Sequence, residues 1–256
     1  MKFIEEIVTN INKKEPSIKY QTGGTFVSKS STIAYGIELV SEILKKQNPK
    51  NTLYINKKDG DMIKRGDVLL SVRGSYNDIL KMKDTSEYLF SYLCGITSSI
   101  MKYQNEIKDL KCQILFKENL IPGIGQYFNE AVLNTKSAII NQNTLYFDNN
   151  IWDSEEDIHE ILDKYDDDQI YVEVNNLAEF KELTVSKCTH IVCVDFTLEE
   201  LEEAVEEKNN KIVITKNNMT HAGIRSYANK KVDYVIINNF LSQMKLFDVE
   251  FKYFKK

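Results

Sequence analysis

Long apolar runs are absent from this sequence of 256 residues. No stretch approaches the roughly 18 consecutive apolar residues that a membrane-spanning helix needs, so we expect no membrane anchor. The first residues carry the acids Glu5 and Glu6, which a secretory signal would not have at that position. We therefore expect a cytoplasmic protein.

Cysteine and histidine are also scarce, and neither is spaced as metal ligands usually are. They stand at Cys94, Cys112, His159, Cys188, His190, Cys193 and His221. Without a CxxC pair, and in a reducing compartment, the thiols are predicted to stay free. Cys193, inside an apolar run, is interpreted as a small buried side chain. The separated histidines predict no zinc site and no fixed protein site for any metal.

An excess of charge of either sign is missing too. Charged residues make up 28% of the chain, hydrophobic residues make up 42%, and the formal net charge is -5. These values are ordinary for a globular protein. A mildly acidic chain has no general attraction for nucleic acid or an anionic membrane, so we expect neither as a partner. A small anionic or nucleotide-like ligand would need a local site.

The first hundred or so residues show mixed patterns. Apolar residues recur at helical spacing over residues 31–46, and again over 76–108, with Gly95 as the candidate for a break. Between these helices, strands are predicted at 52–55 and 67–72, next to turns rich in Gly and Asp.

From residue 112 onward, short apolar strands alternate with amphipathic helices. The strands are predicted at 113–117, 144–147, 170–174, 190–194, 211–215 and 232–237. The helices between the later strands are predicted at 154–164, 177–183, 198–207 and 221–229. This alternation predicts a parallel sheet, and six strands with short crossovers favour a barrel or an incomplete barrel. Thr197 and Glu200 predict a capping box, and residues 249–253 a half-buried strand outside the barrel.

In α/β barrels the functional groups stand where each strand ends and its loop begins. The strand ends here offer Lys117, Glu118, Asn119, Phe147, Asp148, Glu173, Asp195, Lys216, Asn217, Asn218, Asn238 and Asn239. Taken singly, such residues are also common as loop residues and helix caps. Taken together, they predict one polar rim with several acids and a few contacts for an anion.

Short motifs occur in a characteristic order along the chain. The first half contains Lys58-Asp59-Gly60-Asp61, Lys64-Arg65-Gly66-Asp67-Val68-Leu69, Val72-Arg73-Gly74 and Leu93-Cys94-Gly95-Ile96. The second half contains Val172-Glu173-Val174-Asn175-Asn176-Leu177, Val194-Asp195, Gly223-Ile224-Arg225-Ser226-Tyr227-Ala228 and Val232-Asp233-Tyr234. Over roughly residues 24 to 250, this series resembles the quinolinate phosphoribosyltransferase family, also called nicotinate-nucleotide pyrophosphorylase.

The resemblance implies an α/β fold in two domains. An N-terminal α/β sandwich would take residues 1–108, with the tail 249–256 packing back on it, and an incomplete six-stranded α/β barrel of the type II phosphoribosyltransferase kind would take 109–248. The family is usually homodimeric. Its enzymes join quinolinate to phosphoribosyl pyrophosphate with Mg²⁺, releasing pyrophosphate and CO₂ and giving nicotinate mononucleotide. A sister branch, associated with molybdenum transport operons, has the same architecture.

Most of the basic residues that the resemblance leads one to expect are replaced. The family's D-T-R-K-T aligns with residues 116–120, so that its Arg and Lys become Glu118 and Asn119. Its I-K-D-N-H aligns with residues 146–150, where Phe147 replaces the Lys. Asp84 stands where the family has an Arg that reaches the neighbouring subunit's site. Two anionic substrates need charge-assisted partners, which Arg provides best.

Three lysines are candidate substitutes for these lost cations. The family's G-G-G-x-N-H-R segment has no counterpart here, and only Lys136 lies near its place. Lys117 precedes the lost Arg, and because neighbours on a strand face opposite ways, it would need a one-residue slip to replace it. Lys216 opens a loop that aligns with a phosphate-binding segment of the family.

The acids and the loop positions fit the resemblance better. Glu173 and Asp195 stand where the family has the carboxylates that face Mg²⁺ and ribose. The family's S-G-G becomes Lys216-Asn217-Asn218, and its V-G-A becomes Ile237-Asn238-Asn239. Asn tolerates the positive φ that glycine allows in phosphate loops, so these residues are either a rebuilt phosphate site or the result of drift.

Two functions follow as alternatives. In the first, the protein keeps the fold but does not run the standard quinolinate reaction, and has a regulatory or scaffold role or binds a less anionic ligand. In the second, it is an active phosphoribosyltransferase with an altered acceptor, using Glu173, Asp195, Mg²⁺ and the substitute lysines. The lost arginines favour the first, because no other side chain binds anions in a bidentate way.

Overall fold

A computed structural model of the chain describes residues 2–11 and 20–254. By internal contacts the chain divides into two units. The first unit comprises the described residues up to Met101, then Asn119–Lys136, then the segment from Met244 onward. The second comprises Lys102–Glu118 and Ser137–Gln243. Residues 119–136 lie within the range predicted for the barrel, and by their contacts they are part of the first unit.

The strands and helices follow one another along the chain as follows. The strands are β1 (Gln21–Ser28), β2 (Thr32–Ile33), β3 (Thr52–Ile55), β4 (Met62–Ile63), β5 (Val68–Ser75), β6 (Gln113–Lys117), β7 (Ala138–Ile140), β8 (Leu145–Phe147), β9 (Ile170–Val174), β10 (His190–Val194), β11 (Ile212–Asn217), β12 (Tyr234–Ile237) and β13 (Val249–Tyr253). The helices are α1 (Lys2–Ile11), α2 (Ile37–Gln47), α3 (Tyr76–Ile107), α4 (Gly125–Asn134), α5 (Ile158–Asp163), α6 (Leu177–Leu183), α7 (Leu198–Glu207), α8 (Ile224–Ala228) and α9 (Phe240–Gln243). A 3-10 helix covers Asn149–Asp153.

The first unit is built around an antiparallel sheet in the order β13-β1-β5-β3, with β2 and β4 forming a separate pair. Alternate residues of a strand face one side, and on β1 the buried side chain of Phe26 faces the core. The Phe26 ring lies 5.2 Å from that of Phe90 and 4.8 Å from that of Phe251, its partner on β13. The C-terminal strand therefore belongs to this sheet and packs its aromatic residue into the same core.

The second unit is a parallel sheet in the order β7-β6-β12-β11-β10-β9-β8. One face carries a single buried cluster with members from successive strands: Leu115, Ile140, Tyr171, Val192, Ile214 and Ile236. The other face is buried too, as at Ile191, Cys193 and Val213, which is why these strands are continuously apolar. The sheet curls around the cluster, and its two edge strands, β7 and β8, are consecutive in the chain but not paired with each other.

The predicted fold class, an α/β chain with a sandwich-type domain and an incomplete barrel, is confirmed. The barrel has seven strands rather than six. The additional strand, β7, has three residues, Ala138-Ile139-Ile140, too few to show a period in the sequence. Helices α6 and α7 have the predicted limits, and Thr197 and Glu200 form the predicted capping box.

Several predicted helices were wrong in extent. Helix α2 begins at Ile37 rather than at residue 31, because Thr32–Ile33 pairs with Met62–Ile63 and Gly36 takes a left-handed φ of 98°. Helix α5 begins only after Asp157, whose side chain accepts hydrogen bonds from two backbone N–H groups of its first turn. Helix α8 is likewise shorter than residues 221–229.

The four cysteines are all free and buried, as the sequence predicts for Cys193. Burial raises the pKa of the Cys94 thiol to about 12, so this group is an unreactive thiol at neutral pH. Within residues 2–11 and 20–254, no helix combines the length and the apolar character needed to cross a bilayer.

Helix α3 continues through Gly95, so the candidate break at this residue does not occur. Glycine is required here by a close backbone contact. A Cβ atom at this position would lie 2.7 Å from the carbonyl oxygen of Lys245 and 3.3 Å from the Cα atom of Leu246. Gly95 therefore lets the chain that follows α9 approach the helix closely.

We expect Gly95→Ala to lower the free energy of unfolding by about 1–3 kcal/mol, because the added methyl group overpacks against the backbone. In a helix without this contact, the same change would raise stability by roughly 0.5–1 kcal/mol. Urea unfolding measures the difference, with Ser98→Ala in the same helix as the control. A stabilised Gly95→Ala variant would show that the backbone contact does not constrain this position.

Candidate functional site

Four polar side chains meet on the inner face of the curled sheet, at the carboxyl ends of its strands. Lys117, Glu173 and Lys216 each stand two residues after a member of the buried cluster, so they face the same side. Tyr146 on β8 packs against that cluster from the edge of the sheet. We call Lys117, Tyr146, Glu173 and Lys216 the mouth cluster.

The carboxylate of Glu173 is the centre of the mouth cluster. Its side chain is only 3% exposed, and its Oε1 atom accepts a hydrogen bond from Lys216 Nζ at 2.7 Å. The same oxygen accepts a hydrogen bond from the Tyr146 hydroxyl, and Lys117 Nζ lies 3.9 Å away. Two ammonium groups and one phenol thus converge on one oxygen. The buried charge is compensated by its own chain, as a buried carboxylate must be.

Lys117 is held more loosely than Lys216. Its side chain is 48% exposed, and its ammonium group lies 3.3 Å from the centre of the Tyr146 ring, a cation–π contact. Burial lowers the pKa of Lys117, with a further lowering from Lys216, while Glu173 and Asp148 act in the opposite sense. Burial and the neighbouring Glu173 raise the pKa of the Tyr146 phenol, so Tyr146 stays protonated and its hydroxyl donates a hydrogen bond to the carboxylate. Lys117 reaches the mouth in the observed register of β6, and its role as a substitute cation stays a prediction.

Below the mouth cluster, aromatic rings stack through the interior of the half-barrel. The Tyr146 and Tyr171 rings are 6.0 Å apart and nearly parallel, and the Tyr171 and His190 rings are 4.0 Å apart. The His190 Nδ1 atom lies 2.8 Å from the Thr189 hydroxyl. Burial lowers the pKa of His190 to about 4. The imidazole is therefore neutral at physiological pH and acts as a core ring.

Tyr146 and Trp152 are site residues that the sequence patterns do not predict. The Trp152 indole N–H donates to the backbone oxygen of Glu173 at 2.8 Å. The position of Tyr146 on the inward-facing side of a strand, one residue before Phe147, is the signal that identifies it.

Most of the predicted loop residues make contacts outside the mouth cluster. Asp195 is exposed, with a φ of 53°, and its backbone N–H donates to the backbone oxygen of Lys216 at 3.0 Å. Asn217 is buried on the outward side, where its amide accepts from the Thr215 hydroxyl at 2.6 Å and donates to the backbone oxygen of Phe196. Neither side chain joins the mouth cluster.

The remaining loop asparagines do not adopt the left-handed backbone conformation that glycine favours. Asn218 and Asn238 are exposed, and the Asn239 Oδ1 atom accepts from the Met219 N–H at 3.1 Å, which ties two loops together. The left-handed non-glycine residues among those described are Lys136, Asp195, Asn209 and Lys231. The loop asparagines are not among these residues, so they do not use the left-handed conformation that asparagine tolerates.

The other predicted rim residues serve as caps and turn supports. The Glu118 Oε2 atom accepts from the Gln142 N–H at 2.7 Å, and Asp148 caps the 3-10 helix by accepting from the Asn150 N–H. The Phe147 ring packs edge-on against the Tyr165 ring.

Asn119, Lys136 and Asp84 lie in the first unit. Asn119 bonds to the Asn129 side chain, Lys136 is exposed, and Asp84 pairs with Lys83 at 2.9 Å. None of the three is a member of the mouth cluster.

Oxygen ligands such as Glu173 and Asp195 suit Mg²⁺ by chemical type. The Glu173 Oε1 atom already accepts from Lys216 and Tyr146, and a cation there would face an ammonium group. No group of three or more His, Cys, Asp or Glu side chains is arranged to hold a metal ion in the described part of the chain. The observed arrangement does not fit a resident Mg²⁺. The Mg²⁺ requirement, the homodimer and the cytoplasmic location stay predictions.

Comparison with known proteins agrees with this architecture. Residues 17–85 match the quinolinate phosphoribosyl transferase N-terminal domain, and residues 99–252 match the corresponding C-terminal domain. A putative pyrophosphorylase ModD from Pasteurella multocida is 22% identical over 192 residues, which are 70% of this chain and 67% of the relative.

Solved structures are similar over nearly the whole chain. The nicotinate-nucleotide pyrophosphorylase from Francisella tularensis aligns with a TM-score of 0.90 at 17% identity, covering 98% of this chain and 94% of that one. NadC from Streptococcus pyogenes aligns with a TM-score of 0.88 at 16% identity, covering 99% and 96%. At such low identity these likenesses establish the fold.

We expect Lys216→Met to lower the free energy of unfolding by about 2–4 kcal/mol, because a buried carboxylate loses its nearest cation. Lys181→Met is the matched control, since Lys181 pairs with Glu203 at 2.7 Å on the exposed surface, where such a pair contributes about 0–1 kcal/mol. Urea unfolding at neutral pH compares them. Equal losses in the two variants would contradict the importance of the buried pair.

The stability of the protein is expected to fall as pH drops from about 6.5 to about 4, in part through His190. The unfolded chain binds a proton on this ring near pH 6.5 while the folded chain does not, so up to about 3 kcal/mol is lost over that window. In His190→Phe this part of the pH dependence should disappear, while His159→Phe on α5 should keep it. Unfolding curves between pH 7.5 and pH 4.5 that are parallel for His190→Phe and the parent would refute this assignment.

Proposed function

The chain belongs to the quinolinate phosphoribosyl transferase family, and we propose that it is a member that does not run the reaction of quinolinate with phosphoribosyl pyrophosphate. The observation that carries this proposal is the engagement of both mouth lysines by Glu173. In place of an open cationic site, the mouth holds cations that are paired with a carboxylate of the same chain.

The charges around the mouth do not favour a polyanion. A phosphate that recruited Lys216 would leave the Glu173 carboxylate, at 3% exposure, without its nearest cation. Two like charges about 4 Å apart repel by roughly 4 kcal/mol at an effective dielectric of 20. Asp148 and Glu118 add negative charge at neighbouring strand ends. A polyanionic substrate would therefore be repelled by several carboxylates at once.

Arginine, the best partner for phosphate and carboxylate groups, does not contribute to the mouth cluster. Arg225 is the one arginine among the described residues of the second unit. Its guanidinium donates two hydrogen bonds to the Asp109 carboxylate, at 2.7 and 2.8 Å. The other two, Arg65 and Arg73, lie in the first unit. A lysine provides a point charge without the fork geometry that orients such groups.

The retained fold provides a stable framework on which a ligand can bind. A well-packed half-barrel, with rings stacked from Tyr146 to His190, keeps its strand ends in place. We propose that these ends hold a less anionic ligand, in a regulatory or scaffold role.

A second candidate is an active phosphoribosyltransferase with an altered acceptor. It is supported by the inward orientation of Lys117 and Lys216, which together could hold a phosphate group. It requires both lysines to leave Glu173 when substrate binds. The two candidates therefore differ in whether the phosphoribosyl donor binds at all.

We expect no measurable heat when phosphoribosyl pyrophosphate with Mg²⁺, or nicotinate mononucleotide, is titrated into the protein at millimolar concentration. Calorimetry at low and at physiological salt tests this, alongside an assay for nicotinate mononucleotide formation from quinolinate. Formation of nicotinate mononucleotide from quinolinate would reject the main proposal. Micromolar binding of phosphoribosyl pyrophosphate that Lys216→Ala weakens, without this product, would favour the second candidate.

We expect Glu173→Gln to create an anion site, because it frees Lys216 and Lys117 while keeping the size of the side chain. Binding of inorganic pyrophosphate should tighten at least about tenfold, or about 1.4 kcal/mol, relative to the parent protein. Glu118→Gln is the matched control, since it removes the same charge without releasing either lysine. Equal gains in both variants would mean that general charge, rather than the Glu173 pairs, excludes anions.

A further inference from the structure

A second feature of the half-barrel lies at its open seam, between the unpaired edge strands β7 and β8. A cavity of about 710 Å³ occupies this place. Its walls come from the ends of β6, β7 and β8, from the turn between β7 and β8, and from the 3-10 helix. This volume is within the usual range of small-molecule sites, about 300–1,000 Å³. We call this cavity the seam cleft.

Several polar groups of the seam cleft are free to bind a ligand. The side chains of Gln142, Thr144 and Asn150 line it and make no hydrogen bond within residues 2–11 and 20–254. Glu118 and Asp148 each use one carboxylate oxygen on a backbone N–H, and the other oxygen has no protein partner in the same described residues. The cleft therefore offers two carboxylate acceptors, one hydroxyl and two amides that both donate and accept.

The frame of the seam cleft is fixed by backbone contacts. The Glu118 N–H donates to the Ile140 oxygen at 2.9 Å, and its Oε2 atom accepts from the Gln142 N–H at 2.7 Å. The Thr144 N–H closes the turn on the Asn141 oxygen at 3.0 Å. These bonds fix the backbone of the turn and the Glu118 carboxylate before any ligand arrives, which lowers the entropic cost of binding.

Apolar side chains are interleaved with these polar groups. The cleft is lined by Ile140, Ile151, Ile161 and Phe147. Surfaces of this kind cover the C–H face of a ring, while the polar groups meet substituents at its edge. The lining thus suits a compact ring with polar substituents rather than a long apolar chain.

The charge of the lining excludes a phosphate-bearing ligand. The one cation of the lining is Lys117, which is engaged with Tyr146 and Glu173, against the carboxylates of Glu118 and Asp148. Hydroxyl groups fit better, because each donates to a carboxylate oxygen while accepting from an amide. Neighbouring hydroxyls on one ring would satisfy an amide and a carboxylate together.

We propose that the seam cleft binds the uncharged sugar ring of a glycoside or a nucleoside. The hydroxyls would meet Gln142, Thr144, Asn150 and the open oxygens of the two carboxylates. This inference deepens the proposed function and rests on it, because it takes phosphate groups to be excluded from this end of the half-barrel.

Ligand-observed NMR on the full chain tests the proposal with a panel of neutral methyl glycosides, disaccharides, uridine and adenosine. Phosphorylated counterparts and spermidine are added as charged comparisons. We expect at least one neutral compound to bind with a dissociation constant of millimolar or lower. Gln142→Ala and Asn150→Ala, both exposed, should weaken it at least about tenfold, or about 1.4 kcal/mol. Asn143→Ala is the matched control, since Asn143 is in the same turn but does not line the cleft.

The outcomes separate the ligand sources and the two proposals. Binding by methyl glycosides indicates a saccharide ligand, and binding by uridine or adenosine alone indicates a nucleoside. This inference would be overturned if no neutral compound bound, or if only phosphorylated compounds or spermidine bound. It would also be overturned if Gln142→Ala and Asn150→Ala did not weaken binding. Binding of phosphoribosyl pyrophosphate that depends on Lys216 would instead count against the proposed function. The two tests are distinct, because that binding is compared in Lys216→Ala and not in the variants of the seam cleft.

Discussion

The buried carboxylate of Glu173 is the group on which the arrangement of the strand ends depends. A charge at 3% exposure must be compensated, and here Lys216, Tyr146 and Lys117 all turn toward one of its oxygens. The positions of β6, β8, β9 and β11 at this end are thereby linked through one atom. This single acid therefore organises the side chains around it.

The stability of the half-barrel comes mainly from its interior and depends little on the residues at its rim. The half-barrel is stabilised by the apolar cluster and the stacked rings of its interior, which do not depend on the residues at the rim. Substitution at the rim therefore costs little stability, provided that each remaining charge finds a partner. Lys216, near the end of β11, provides the partner for Glu173.

The sequence predicted those parts of the structure that depend on local patterns. Alternating strands and helices, the cap at Thr197 and the order of the motifs were sufficient for the fold. The three-residue strand β7 and the start of α2 were not predictable, because each depends on pairing with a distant segment. At the site, the lost bases were evident, but the partners of Glu173 were not, since Lys216 and Tyr146 are 43 and 27 residues away from it.

The open seam also bears on aggregation through the edges of the sheet. An unclosed parallel sheet has two edges whose backbone groups can pair with a foreign strand. In this sheet the edge strands β7 and β8 are the shortest, with three residues each. So short an edge offers an incoming strand very few hydrogen bonds, and the turn and the 3-10 helix that flank it interrupt any longer ladder. The half-barrel can therefore stay open without becoming a template for fibrous aggregation.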